Sequence, residues 1–157
     1  MPKSFFRGVH QIQDKYDGDA SAIWNNNQRS ATIVRRFLEF NGIGIKIAPM
    51  AANILARDFK IPMKDHINID ISPDRHVKKV FKRLGFISDE NSNDELIYRA
   101  REFYPLYPGI FDLPCFAIGK QWCHFKPKNS TGSNWISVQK ESCKKCYLYE
   151  NCPKKLE

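Results

Sequence analysis

The sequence contains no long apolar run, although 42% of its 157 residues are hydrophobic. No stretch approaches the roughly 20 consecutive apolar residues that a membrane-spanning helix needs. Residues 1–7 also lack the apolar segment of a secretory signal. These absences argue against an integral membrane protein and a secreted one, and we expect a cytoplasmic protein. With 11 Phe, 6 Tyr and 3 Trp, the chain can fill the core of one domain.

Cysteine is scarce outside one C-terminal group, formed by Cys123, Cys143, Cys146 and Cys152 with the spacing C-x19-C-x2-C-x5-C. An odd total of five, with four clustered, is typical of thiolate ligation rather than of disulfides. Four thiolates suit a [4Fe–4S] cluster or, as an alternative, a zinc ion. Zinc ribbons carry two C-x2-C pairs and this chain has one, so we favour the iron–sulfur cluster. We interpret Cys115 as a buried core residue.

Acidic residues are scarce in two segments of a chain whose formal net charge is +8. Residues 75–84 carry five cations and no acid, and the last 38 residues carry eight lysines against three glutamates. Such patches favour a polyanionic partner such as nucleic acid. Ordinary solvated helix faces are the alternative interpretation.

Apolar residues recur at helical spacing along most of the chain, and no segment predicts a hairpin of strands. We predict longer helices at residues 5–16, 30–40, 45–59, 73–84, 93–103 and 110–122, and a short one from Asp19 through Trp24. Pro73 is expected to be the first residue of its helix and Pro114 to distort the last helix. Residues 60–73 are predicted to form a loop, and the cysteine region to be mostly loop held by its metal.

Gly42, Ile43 and Gly44 separate two of these predicted helices. The glycines permit a tight turn while Ile43 anchors in the core, and the amides that begin the second helix can then bind one phosphate of a DNA strand. Lys46 lies at the start of that helix, where a phosphate contact is its ordinary role. Asp74 precedes the basic helix, where an ordinary N-cap is the alternative to a chemical role.

Three segments together resemble the helix-hairpin-helix DNA glycosylase superfamily, and endonuclease III in particular. They are residues 42–48 (Gly-Ile-Gly-Ile-Lys-Ile-Ala), residues 74–80 (Asp-Arg-His-Val-Lys-Lys-Val) and the ending Cys143-x2-Cys146-x5-Cys152. The three motifs occur in the family's order, and the resemblance extends from about residue 5 to residue 153. The chain departs from the pattern in having 19 residues between Cys123 and Cys143, where endonuclease III carries six.

The resemblance implies an all-α fold, with a helix-hairpin-helix lobe at residues 1–87 and C-terminal helices with a four-cysteine iron–sulfur loop at residues 88–157, packed as one unit. It implies that Lys46 is a Schiff-base nucleophile that attacks the sugar C1′ and expels a damaged base, after which β-elimination cleaves the strand. Asp74 would be the essential carboxylate, with Asp70 as a competing candidate. The implied DNA contacts are made by Gly42, Ile43, Gly44, Arg75, Lys78, Lys144 and Lys145.

The family's glycosylase domain has several helices before the segment that matches residues 5–16, and this chain has about four residues there. Either the short chain acts with half a barrel, or a missing segment, a protein partner or a second copy of the chain completes the barrel around lesion-containing or abasic double-stranded DNA. Two other functions stay open: a DNA-binding module without catalysis, and a ferredoxin-like electron carrier.

Overall fold

The computed structural model describes residues 3–89, 91–123 and 141–153, and within these ranges the chain is helical and contains no strand. The helices are α1 (Lys3–Tyr16), α2 (Ser30–Leu38), α3 (Ile47–Arg57), α4 (Arg75–Arg83), α5 (Asn93–Phe103) and α6 (Asp112–Gln121), with 3₁₀ turns at Ala20–Ile23 and Pro108–Phe111. The longest helix has 14 residues. Among the helices of the described ranges, none has the length and apolar character that a membrane crossing requires.

The chain divides into two compact units. The first comprises Met1–Ser72 with Ala100–Ile110, and the second comprises Pro73–Arg99 with Phe111–Glu157. The division at residue 87, between a helix-hairpin-helix lobe and C-terminal helices with an iron–sulfur loop, stays a prediction.

In the first unit, α2 packs against α3 around Ile33, Ala52 and Ile69, all fully buried. Apolar spacing on both helices produces this core, because each presents one apolar stripe to the other. Trp24 and Phe37 extend it, with ring centroids 6.4 Å apart.

The loop at residues 60–72 has no regular helix but is tied to the rest of the first unit along its length. Several contacts do this: Lys64 N to Gln28 O, Ser30 Oγ to Asp65 Oδ1, Asn68 N to Ser30 Oγ, Gly109 N to Ile69 O, Arg101 to Asp70, and Ser72 Oγ to Lys46 O. The Asn53 side chain adds a bond from Nδ2 to Gly109 O at 2.7 Å. The amides of Lys64 and Asn68 and the carbonyl of Ile69 therefore form their hydrogen bonds with residues outside this partly buried loop.

In the second unit, α4 packs against α6. Gly119 of α6 makes this close approach possible, since a Cβ at its position would lie 2.6 Å from the carbonyl oxygen of His76. Phe81 is 1% exposed and makes edge contacts with Phe86 and Phe111. Lys79 is only 9% exposed, so the alternative interpretation of the basic segment as an ordinary solvated helix face does not hold at this position.

Two predictions about proline are wrong in detail. Asp74, not Pro73, borders α4: its side chain accepts a bond from His76 N at 2.8 Å, and the helix begins at Arg75. Pro114 is the third residue of α6, which starts at Asp112 after a 3₁₀ turn. In the first turn of a helix, proline removes no intrahelical hydrogen bond, so α6 needs no distortion there.

Candidate nucleic-acid and metal sites

The turn between α2 and α3 begins with Gly42, whose φ of +85° is a conformation that favours glycine. The amide of Ile43 donates to Phe40 O at 3.0 Å, which closes the turn. The carbonyl of Gly44 then accepts from the amides of Ile47 and Ala48 at 2.9 and 3.0 Å, which begins α3. Ile43 is half-buried, as expected of an anchoring residue, while both glycines are exposed.

The space beside these glycines is open. A Cβ added at Gly42 or Gly44 would meet no atom of the described residues within 4 Å. The fold therefore does not require a glycine at position 44, because a side chain would have space there. Close approach of a ligand to the backbone would require one. The turn combines an open surface with the amide-rich start of a helix, which is an arrangement that binds phosphate.

Lys46 is exposed and immediately precedes α3. Its backbone is already helical, with φ −79° and ψ −41°, and its carbonyl accepts a hydrogen bond from Ser72 Oγ at 3.0 Å. The amine is thus carried by a fixed backbone at the positive end of the helix, two residues after the glycine turn.

The two candidate carboxylates have different surroundings. Asp74 is half-buried, is the N-cap of α4 and belongs to the second unit, whereas Lys46 belongs to the first. Asp70 lies in the first unit and binds Arg101 with both oxygens, from Nε at 2.7 Å and from Nη2 at 2.8 Å. The N-cap role that the sequence offered for Asp74 is observed, and Asp70 is occupied by an ion pair.

The four clustered cysteines line one cavity in the second unit. Its other walls are formed by Val80, Arg83, Leu84, Ile118, Trp122, Leu148 and Tyr149. Cys123 follows α6 directly, with its amide bonded to Ile118 O at 2.9 Å. Cys143 lies in a helical turn at residues 141–144, and Cys146 and Cys152 lie on the turns that follow, in which Cys146 N donates to Cys143 O and Cys152 N to Tyr149 O. The rings of Trp122 and Tyr147 make an edge contact, with their centroids 4.9 Å apart. This contact connects the end of α6 to these turns.

Burial and the neighbouring groups both act on the pKa values of two of these cysteines. Burial raises the pKa of the Cys123 thiol, while the cations of Arg83 and Lys79 act in the opposite direction. Burial likewise raises the pKa of Cys146, against which the amide of Leu148 acts. Both cysteines also feel the other cysteines of the group, as expected for sulfurs that share a cavity.

The four clustered cysteines thus share one cavity. At the same time, no three His, Cys, Asp or Glu side chains in residues 3–89, 91–123 and 141–153 form a group that could hold a metal ion. Cys115 lies elsewhere in the second unit, 8% exposed, and burial raises its pKa to about 12, with Asp112 adding to the shift. The prediction that Cys115 is a buried core residue is confirmed.

The predicted cationic contacts differ in availability. Arg75, Lys144 and Lys145 are exposed, whereas Lys78 is half-buried and donates from Nζ to Asn93 Oδ1 at 3.1 Å. Residues 124–140, which separate Cys123 from Cys143, lie outside the described residues.

Several residues of these sites have no local sequence signal. Ser72 contacts Lys46 across 26 positions and Arg101 contacts Asp70 across 31. Lys79 precedes Val80 and Arg83 follows it on α4, the helix that lines the cavity. Both could have been noticed from this position in the sequence. The chain matches no protein-family model, no curated protein and no solved structure.

Proposed function

We propose that this protein binds double-stranded DNA containing a damaged base or an abasic site and acts on it as a DNA N-glycosylase and AP lyase. The observation that carries the proposal is the position of Lys46. Its side chain is exposed at the first turn of α3, directly after an open glycine turn between two packed helices. This places an amine beside a surface suited to a DNA phosphate.

The DNA contact begins at Gly42 and Gly44. Their lack of side chains leaves room for a phosphate oxygen to reach the amides at the start of α3. Exposed Arg75, Lys144 and Lys145 supply further sequence-independent attraction to the backbone. Such contacts position the duplex without reading its sequence.

The chemistry proposed for Lys46 is covalent. Its neutral amine forms a bond to C1′ of a flipped-out nucleotide, and the base departs with the electron pair of the glycosidic bond and takes up a proton. Loss of a proton from nitrogen and opening of the sugar ring give an imine. Removal of a proton from C2′ then expels the 3′ phosphate. The resemblance assigns to Asp74 the assisting carboxylate of this chemistry, which would accept a proton and balance positive charge on the sugar.

Asp74 can combine this role with capping α4. His76 N donates to its Oδ1, and one carboxylate can accept several hydrogen bonds at once.

For the cysteines, we propose that Cys123, Cys143, Cys146 and Cys152 hold a [4Fe–4S] cluster, with zinc as the alternative metal. The support is their spacing and their common cavity, together with the cations of Arg83 and Lys79 nearby. The cluster would supply structure, holding the turns that carry Lys144 and Lys145 against the end of α6.

A second candidate is a DNA-binding module without catalysis. The observation that favours it is the use of the Asp74 side chain as a helix cap, which gives this carboxylate a structural reason to be present.

Incubation with an abasic-site duplex and borohydride distinguishes the two candidates. The wild-type protein should form a covalent adduct, and Lys46→Gln should abolish both the adduct and strand cleavage. Lys60→Gln, which alters another exposed lysine of the first unit, should trap as the wild type does. Duplex binding without any adduct in the wild type would favour the non-catalytic module.

A further inference from the structure

Ser72 is a buried hydroxyl that contacts the backbone of Lys46. Its residue is 3% exposed, and its Oγ donates to the Lys46 carbonyl at 3.0 Å. Both residues belong to the first unit. The bond is part-buried, since Ser72 is buried and Lys46 is exposed, and a hydrogen bond that is partly shielded from water is stronger than a fully exposed one.

The segment that carries Ser72 is itself fixed. Ile69 and Ile71 are fully buried, and the Ile69 carbonyl accepts from Gly109 N at 2.7 Å. Between them, Asp70 is held by both of its oxygens to Arg101. Ser72 is therefore a rigid point of attachment for the start of α3 rather than a mobile loop residue.

The point of attachment matters because of where Lys46 lies. It is the residue before α3, and its own side chain makes no capping bond. The peptide plane between Lys46 and Ile47 is held at its amide, which donates to Gly44 O at 2.9 Å, and at its carbonyl, which accepts from Ser72 Oγ. The Ser72 bond constrains that plane, and with it the origin of the long Lys46 side chain.

We propose that Ser72 is a positioning residue for the Lys46 amine. It fixes the Lys46 backbone so that the amine spends more of its time where a sugar C1′ would be attacked. This inference rests on the proposed lyase function. The orientation of the Lys46 amine affects the rate of the chemical step. The affinity for the duplex depends instead on phosphate contacts, which the buried Ser72 does not make.

Ser72→Ala tests the role in single-turnover borohydride trapping with an abasic-site duplex. We expect the rate of adduct formation to fall about tenfold, which corresponds to the loss of one hydrogen bond that orients the amine. The affinity for the duplex should stay unchanged. Ser72→Thr keeps the hydroxyl and should restore most of the rate. Ser72→Cys, which keeps the shape but donates weakly, should show a similar loss and serves if the alanine variant does not fold.

The matched control is Ser30→Ala. Ser30 is fully buried in the same unit and binds Asp65 and Asn68, without a described contact to Lys46. It should lower the melting temperature by an amount similar to Ser72→Ala and leave the trapping rate unchanged.

The outcomes separate the two claims. A wild-type protein that forms no adduct would overturn the lyase function, and with it any aid that Ser72 gives to that chemistry. A wild type that traps while folded Ser72→Ala traps at the same rate would overturn the positioning role alone. An equal loss in Ser30→Ala would also overturn it, because the effect would then follow from stability.

Discussion

The carboxylate of Asp70 and the guanidinium of Arg101 form a two-pronged ion pair in the first unit. The bonds run from Nε to Oδ1 at 2.7 Å and from Nη2 to Oδ2 at 2.8 Å, with the Asp70 side chain 14% exposed and that of Arg101 41% exposed. Because both oxygens are used, the pair links α5 to the segment before Ser72. It gives Asp70 a structural role and leaves Asp74 as the carboxylate proposed for chemistry.

The first prediction compares these two carboxylates. Asp70→Asn should reduce the free energy of unfolding by about 1 kcal/mol, since Arg101 is partly exposed and solvent screens the pair, and should slow adduct formation less than Asp74→Asn does. Asp74→Asn should slow adduct formation at least tenfold and spare duplex binding. Asparagine is also a good N-cap, so this substitution removes the charge while α4 keeps its start. Urea unfolding and single-turnover trapping measure the two effects. Loss of activity in Asp70→Asn but not in Asp74→Asn would show that the roles are reversed.

The second prediction concerns the glycine turn. Gly44→Ala should leave stability unchanged, because its Cβ meets no described atom, yet should weaken duplex binding several-fold by obstructing a phosphate. Gly42→Ala should also cost about 1 kcal/mol of stability, since its φ is +85°. Fluorescence anisotropy with two unrelated duplexes, at several salt concentrations, measures the affinity and its salt slope. Wild-type affinity in a folded Gly44→Ala protein would mean that the turn contacts no DNA.

The third prediction concerns the cysteines. Protein purified without oxygen should be brown and hold about four irons per chain. Cys146→Ser should bleach the colour and lower the iron content, while Cys115→Ser should retain both, because Cys115 lies outside the cavity that the other four line. Iron and zinc analysis with visible absorption checks this. A colourless protein with one zinc per chain would establish the alternative metal.

The fourth prediction concerns the packing of α4 on α6. Gly119→Ala should lower the free energy of unfolding by about 1–3 kcal/mol, because its Cβ would overlap the His76 backbone and force the helices apart. Gly8→Ala is the matched control, since its Cβ would meet the Phe40 ring at an ordinary 3.9 Å and alanine favours the helix. Thermal unfolding compares the two. Equal stability of both variants would show that the helices adjust at little cost.

Local patterns predicted most helices well. α5 was predicted at residues 93–103 and is observed there, since Ser92 accepts the Glu95 amide at 3.1 Å and begins the helix by a short-range signal. Gly85 follows α4 with φ +77°, as expected for a glycine that ends a helix. The glycine turn and the N-cap position of Asp74 are likewise local, and were visible in the sequence.

The rest depends on contacts between distant residues. Burial of Lys79 follows from the packing around α4, which its own sequence does not reveal. The bond from Ser72 to Lys46 and the ion pair of Asp70 with Arg101 join positions 26 and 31 residues apart. Spacing alone could not decide between Asp70 and Asp74, because the choice depends on where Arg101 lies.

The loop at residues 60–72 has a consequence for proteolysis. Proteases cleave backbone that can leave the fold, and exposed irregular segments usually provide it. Here the amide of Lys64, the side chains of Asp65 and Asp70 and the carbonyl of Ile69 all hold partners elsewhere in the unit. Cleavage after Lys64 would first require several of these bonds to open at once. The stretch that looks most vulnerable in the sequence should thus be digested late, at a rate governed by unfolding of the whole unit.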